Sequence, residues 1–552
     1  MFIILLSLSF PLLLFSFCNI YAQQNQNYPL SAQNITLYDP NLKIELVTSG
    51  LDFPTTMAFL GPDDFLILEK NTGNVKRFVN GTLIEKPLLH VSASIKDERG
   101  LLGIAISEKN NNNYYNNALL VQNKDISHNV FLYYIVCKDM VKNTGCENRI
   151  YRYDLDNKNN VLINPKFLVG VPSFPDPSHI GGIIDIGPDN NLYVTVGNFQ
   201  NTIPSVIYKT PTQNYADGEP IDGRAGILRL TQDGYPVLNA DDTGIIGNKY
   251  PLNAYYAYGI RNSFGIDFDP ITGKLWDTEN GPQFGDEINM VEPGFNSGAD
   301  IVYGIWEADE FGDMLKNKNG KSVPVGNNPP NLVDFKGKGH YNPPEFIWGK
   351  TIAPTALLFL DSDKLGSAYQ NDIFVGSADG GRVFHFDLND KRDGLVLTGN
   401  LTDKIALNKT EFTDILFAEG FSIITDVKQG PDGYPYIVSG LKQSKTAKFG
   451  AVFRIVPSGN TTTTNNDKLD IVKQQTQKEK NNIIPSITNT TTTTKDIVES
   501  NQENSPKKTN TNVLLDIAPK PSNTTKTIDA KAWDNLMKQK LEQTSNLNIK
   551  SK

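Results

Sequence analysis

Cysteine is scarce in this 552-residue chain, which carries only three. One, Cys18, lies in an apolar N-terminal run, and the remaining pair, Cys137 and Cys146, has neither the number nor the spacing of a zinc site. Runs of Lys or Arg are missing, and the formal net charge is −9. A nucleic-acid partner and an anionic membrane surface are therefore excluded as expectations, because both need a basic footprint. Long helical periodicity is missing as well, which leaves an all-β reading of the centre. None of these absences speaks against a neutral small-molecule ligand.

The two ends differ from the middle. Phe2 to Phe17 is almost wholly apolar, and Ile20-Tyr21-Ala22 offers a cleavage point after Ala22, so residues 1–22 read as a signal peptide. The same stretch is long enough to act as an N-terminal membrane anchor if it is not cut. Export to the cell surface or beyond is the expectation in either case. In an oxidising compartment Cys137 and Cys146 would close a small local disulfide, two free thiols being the alternative. From residue 458 to 552 the chain is rich in Thr, Asn and Lys, and its low apolar content predicts a disordered tail. Residues 528–542 of that tail have the pattern of a short amphipathic helix. Glycosylation triplets begin at Asn34, Asn80, Asn400, Asn408, Asn460, Asn489 and Asn523.

Between the ends, residues 40–457 hold a repeat. Gly61-Pro62-Asp63-Asp64, Gly187-Pro188-Asp189-Asn190 and Gly430-Pro431-Asp432-Gly433 each lead into an apolar, β-prone run, and Asp269-Pro270-Ile271-Thr272 is a fourth variant. A second strand follows each turn, as in Val75-Lys76-Arg77-Phe78, Ile227-Leu228-Arg229-Leu230 and Val452-Phe453-Arg454-Ile455. Two looser units run from Ala118-Leu119-Leu120-Val121 to Ile150-Tyr151-Arg152-Tyr153, and from Asp372-Ile373-Phe374-Val375 to Val383-Phe384-His385-Phe386. Six units predict a six-bladed β-propeller of four-stranded antiparallel blades, with a site built from loops at one face.

Several motifs resemble those of the soluble quinoprotein glucose/sorbosone dehydrogenase family. They are Glu98-Arg99-Gly100-Leu101-Leu102-Gly103, His179-Ile180-Gly181-Gly182, Gly259-Ile260-Arg261-Asn262, Glu279-Asn280-Gly281-Pro282, Asp286-Glu287-Ile288-Asn289 and Ile352-Ala353-Pro354. The resemblance implies oxidation of the anomeric alcohol of an aldose to a lactone, with hydride transfer to pyrroloquinoline quinone (PQQ). It implies His179 as general base, a role that suits an imidazole near neutrality. Arg261 and Asn262 would contact the cofactor, since a guanidinium can pair with a carboxylate through two hydrogen bonds. The carbonyls of Gly281 and Pro282 would hold Ca²⁺, Glu287 matches a position tied to a structural Ca²⁺, and Glu98 sits where the sugar is contacted. The electron acceptor beyond the quinone is left open.

The resemblance breaks at three positions. Where the family carries cations for the tricarboxylated quinone, this chain has Asp379, Ile423 and Thr425. A carboxylate in place of a cation adds repulsion to the lost attraction. Lys350 and Arg382 lie close enough in sequence to substitute. Two other functions stay open at this stage: a non-catalytic surface propeller that binds a glycan or protein, and a Ca²⁺-dependent lactonase-like hydrolase.

Overall fold

A computed structural model describes residues 35–109, 126–173, 177–199, 209–309, 313–319, 321–326, 329, 331–440 and 450–459. Residues 1–22, expected to be a signal peptide or anchor, residues 118–121 and the tail from 460 onward lie outside the described residues. What is described is an all-β propeller whose helical content is limited to short 3-10 turns such as Glu411–Ile415. No helix among the described residues is long and apolar enough to cross a membrane.

Six sheets carry four or more strands, and a two-stranded ribbon joins Val302–Tyr303 to Trp306–Glu307. Their innermost strands are, in chain order, Pro54–Gly61, Leu101–Glu108, Gly181–Ile186, Ser263–Phe268, Pro354–Leu360 and Ile423–Gln429. Each packs beside the next, and the last returns to the first. The ring is closed by an early strand: Leu42–Leu51 pairs antiparallel with Gly450–Pro457 and so becomes the outer edge of the sixth sheet. The expectation of uniform four-stranded blades is corrected. The third sheet has six strands and the fourth has five, because Phe295–Asn296, His340–Tyr341 and Ile405–Ala406 add on in parallel register. These additions come from inserted segments, whose backbone groups find partners along exposed sheet edges.

The repeat seen in the sequence has a physical role. Asp189 in the third sheet accepts the backbone N–H of Asn191 at 3.1 Å, which fixes the turn. It also accepts Nε of Arg229, from the next strand, at 2.8 Å. Asp64 with Arg77 and Asp432 with Arg454 repeat this pairing at 2.8 and 2.9 Å. In the fourth variant, Asp269 instead accepts Arg392 from the neighbouring sheet at 2.8 Å. In the other three units the alternating polar position of the second strand thus locks its own hairpin.

Between neighbouring sheets lie apolar clusters. Leu102, Phe131 and Tyr133 of the second sheet pack with Ile184, Val194 and Leu228 of the third. Trp276 and Trp348 of the fourth meet Phe359 and Phe384 of the fifth. Each fully buried side chain of this size contributes on the order of 2–3 kcal/mol. Glycine is required where two inner strands approach most closely: a Cβ on Gly103 would lie 2.1 Å from the carbonyl oxygen of Gly182. The paired glycines after His179 have their own reason: both hold positive φ values, 67° at Gly181 and 109° at Gly182. Cys137 and Cys146 face one another across the hairpin of the second sheet and form a disulfide.

Candidate active site

The residues that precede the inner strands are brought together at one rim of the ring. Phe53, His179, Ala353 and Ser422, each just ahead of an inner strand, all have left-handed φ values of 47°, 54°, 52° and 76°. Non-glycine residues rarely hold this conformation unless the surroundings impose it, and such positions concentrate at functional sites. Side chains then stitch neighbouring sheets together here. The backbone N–H of Gly181 donates to Oδ1 of Asn262 at 3.1 Å, and that of Ile180 donates to Oε2 of Glu98 at 3.3 Å.

His179 is buried, with 6% of its surface exposed. Its Nδ1 lies 3.2 Å from Oδ1 of Asn198, whose Nδ2 donates to Oδ1 of Asp300 at 3.4 Å. The carboxylate of Asp300 can only accept, so the amide of Asn198 must turn its oxygen toward His179. Nδ1 is then the donor, and the imidazole lone pair sits on Nε2. Burial raises the pKa of Asp300 to about 6, so the group remains largely ionised at neutral pH. Neither Asn198 nor Asp300 was visible in the motifs.

Arg261 is buried; its Nη1 donates to the carbonyl of Asn280 at 2.8 Å, and its backbone N–H donates to Oε1 of Glu279 at 2.6 Å. The Gly281-Pro282 turn is held from below by Asp286. This carboxylate accepts the N–H groups of Gly281 at 2.8 Å, Ile352 at 2.6 Å and Ala353 at 2.9 Å. It thereby joins the turn of the fourth sheet to the entry of the fifth. A side chain at position 281 would meet the carbonyl oxygen of Phe284 at 2.0 Å. Only glycine lets this backbone close on itself.

Behind the turn three carboxylates share one face of the fourth sheet. Glu279 is directly opposite Glu287, and Asp277 is opposite Asn289. Both oxygens of Asp277 and Oε2 of Glu279 are buried without a hydrogen-bond partner. Burial raises the pKa of all three carboxylates, to about 7 for Asp277 and about 8 for Glu279, and mutual repulsion raises Glu279 and Glu287 further. Orphaned carboxylate oxygens in such a setting are what a bound cation would satisfy.

Glu98 is shielded from solvent, which raises its pKa against the opposing pull of the Ile180 and His179 N–H groups and of Arg261 and Lys70. Its sequence neighbour Arg99 runs inward instead, donating to the carbonyl of Ser173 at 2.7 Å. Lys70 was also missed by motif reading. It enters from the first sheet, donates to the carbonyl of Asp97 at 2.8 Å, and has its pKa lowered by burial to about 8.

The fifth and sixth sheets look different at this rim. Asp379 is two-thirds exposed, and Arg382 turns back to it, with Nη1 2.9 Å from its carbonyl and 3.5 Å from Oδ2. The same guanidinium lies 3.7 Å from Glu419. One cation thus faces two carboxylates. Thr425 donates its hydroxyl to the carbonyl of Val438, and Ile423 is partly buried at the strand entry.

Residues 51–448 match the family model described as Glucose / Sorbosone dehydrogenase. Quinoprotein glucose dehydrogenase B of Acinetobacter calcoaceticus is 27% identical over 398 residues, covering 63% of this chain and 78% of that protein. Aldose sugar dehydrogenase YliI of Escherichia coli is 25% identical over 399 residues, covering 72% of this chain and 90% of that protein. The solved apo-form of the soluble aldose sugar dehydrogenase from Escherichia coli superposes with a TM-score of 0.52 at 21% identity, over 75% of this chain and 99% of that one. That likeness speaks to the fold, while the family match covers most of the sequence. The chain belongs to the glucose/sorbosone dehydrogenase family and is an oxidoreductase of the sugar dehydrogenase kind.

Proposed function

We propose that the chain oxidises the anomeric alcohol of an aldose to the lactone, with PQQ as cofactor and Ca²⁺ beside it. The observation that carries this reading is the chain from His179 through Asn198 to Asp300, which orients the imidazole at the same rim as Arg261, Asn262 and the Gly281-Pro282 turn. When bound, PQQ supplies a two-electron acceptor for the hydride that leaves the anomeric carbon. His179 takes the hydroxyl proton on Nε2, and the proton on Nδ1 stays hydrogen-bonded to Asn198. Glu98, at the position the family resemblance ties to the sugar, can accept hydrogen bonds from the hydroxyls of a neutral polyol. Membership of a dehydrogenase family displaces the non-catalytic and hydrolase readings.

The donor set fits these groups unevenly. Carbonyl oxygens at a tight Gly-Pro turn suit a hard cation, and Glu287 with its buried carboxylate neighbours suits a second one. Arg261 and Asn262 suit the polar edge of a quinone. At the fifth and sixth sheets the cationic grip for its carboxylates is reduced, because Arg382 is shared between Asp379 and Glu419. The reading therefore includes a weaker hold on the cofactor than a rim with cations at those positions would give.

We also read the chain as exported. The Cys137–Cys146 disulfide is the support for this, since such bonds persist in oxidising compartments.

The deciding experiment is calorimetric titration of the purified chain with PQQ, with and without Ca²⁺, followed by a sugar panel with a dye acceptor. Ca²⁺-dependent binding and turnover of an aldose are expected. An absence of binding at high cofactor concentration would overturn the assignment.

A further inference from the structure

At the far end of the fifth sheet, away from the rim, three side chains able to bind metal converge. Asp372 opens the strand Asp372–Ser377, His385 lies in Val383–Phe386, and Asp387 follows directly. Asp372 is five residues from Ser377 at the rim end, a separation of about 17 Å along an extended strand. Nε2 of His385 is 3.0 Å from Oδ2 of Asp372 and 3.7 Å from Oδ1 of Asp387. The three ligand atoms all lie within 4.8 Å of one another.

The imidazole is held in place by its neighbours. Tyr369 and Phe374 lie 5.1 and 5.0 Å from it, centroid to centroid, and Phe417 closes the group at 6.3 Å. Tyr369 is itself fixed by a 2.7 Å hydrogen bond to Asp39. A nitrogen donor on a locked ring, one largely buried carboxylate and one 59% exposed carboxylate make a set that needs little rearrangement to close on an ion.

The spacing also selects the kind of ion. Tetrahedral zinc, with ligand bonds of about 2.0–2.2 Å, places its nitrogen and oxygen ligands roughly 3.3–3.5 Å apart. The observed 3.0 and 3.7 Å straddle that separation. Calcium prefers all-oxygen shells, so the imidazole argues against it, whereas borderline divalent metals accept mixed nitrogen and oxygen donors. Charge agrees: a protonated imidazole balances only one of the two carboxylates, and a divalent ion balances both. We propose that Asp372, His385 and Asp387 form a site for a divalent transition metal, with Zn²⁺ the best match, separate from the sugar site and open to water beside Asp387.

The test uses the full chain, freed of metal by chelation and then kept in millimolar Ca²⁺ to fill oxygen-rich sites. Titration with Co²⁺ should give the visible absorption of a low-coordinate ion, bleached by one equivalent of Zn²⁺. His385→Gln should abolish that signal, and Asp387→Asn should weaken Zn²⁺ binding by at least about tenfold. Asp387 is exposed, so its variant decides the matter if His385→Gln fails to fold. An unchanged signal in Asp387→Asn, or no Zn²⁺ taken up by the native chain, would overturn the assignment and leave a histidine bridging two carboxylates.

Discussion

The rim of this propeller has two unlike halves. On the third and fourth sheets, His179, Arg261 and the Gly281-Pro282 turn are each framed by hydrogen bonds to neighbouring groups, with the orphaned carboxylate oxygens of Asp277 and Glu279 behind the turn. On the fifth and sixth, the corresponding positions carry Asp379, Ile423 and Thr425, and the nearby Arg382 is divided between two carboxylates. Both halves rest on the same sheet architecture, so the fold does not force the difference. On the proposed reading, the first half serves proton transfer and cation binding, and the second serves the grip on an anionic cofactor. Proton chemistry and cofactor affinity would then be separable in this chain, and substitutions on each half should affect different measurements.

The largest effect is expected on the framed half. His179→Ala should lower kcat for aldose oxidation by about 10²–10⁴-fold, the range in which a positioned general base contributes. PQQ affinity should change little, since the cofactor contacts assigned to Arg261 and Asn262 are untouched. Dye-linked turnover and calorimetry on the same preparation measure both. A variant that binds normally and turns over normally would remove His179 from the mechanism and with it the division between the two halves.

How much of this was readable beforehand follows the same physics. The repeats were legible because each hairpin solves one local problem, an Asp in the turn and an Arg on the next strand, at short sequence separation. His179, Arg261, Asn262 and Gly281 were legible through motifs in which strand entry and site coincide. Asn198 and Asp300 were not, because their contact joins residues 102 positions apart and neither sits in a patterned segment. Lys70 escaped for a similar reason: its ammonium reaches the rim only because the first and second sheets pack side by side. The added edge strands, such as Ile405–Ala406, are two residues long and carry no periodicity to detect. Arg382 stands out in the sequence as a nearby cation, but its partners do not, since Glu419 comes from another strand of the sheet.

On the weaker half the expected effect is smaller and opposite in sign. Asp379→Lys replaces a repelling charge with an attracting one and releases Arg382 from one of its two carboxylates. PQQ should bind about tenfold tighter, equivalent to ~1.4 kcal/mol. The position is exposed, so the gain should shrink as salt rises. Calorimetry at low and high ionic strength measures it, with kcat at saturating cofactor as the control. If affinity is unchanged at low salt, Asp379 lies outside the anion's reach, and the contrast between the two halves would have to rest on Ile423 and Thr425 alone.

The smallest effect concerns Lys70, which places a cation near the rim from the first sheet. Its pKa falls from 10.5 to about 8 chiefly because burial penalises the charged form. Between those values the unfolded chain holds a proton that the folded chain has released, so this group's contribution to stability rises with pH across that window. Below pH 8 the buried charge costs stability in full. Lys70→Met should therefore raise Tm by about 1–3 °C at pH 7, and the advantage should fade as the pH is taken from 8 toward 10. The same substitution should weaken PQQ binding if Lys70 supplies part of the attraction missing from the fifth and sixth sheets. Thermal scans across that pH range, paired with cofactor titration at pH 7, separate the two roles. A variant that is more stable at pH 7 yet binds PQQ as well as the native chain would make Lys70 a tolerated burial rather than a replacement for the lost cations, and the cofactor would then be held from the framed half alone.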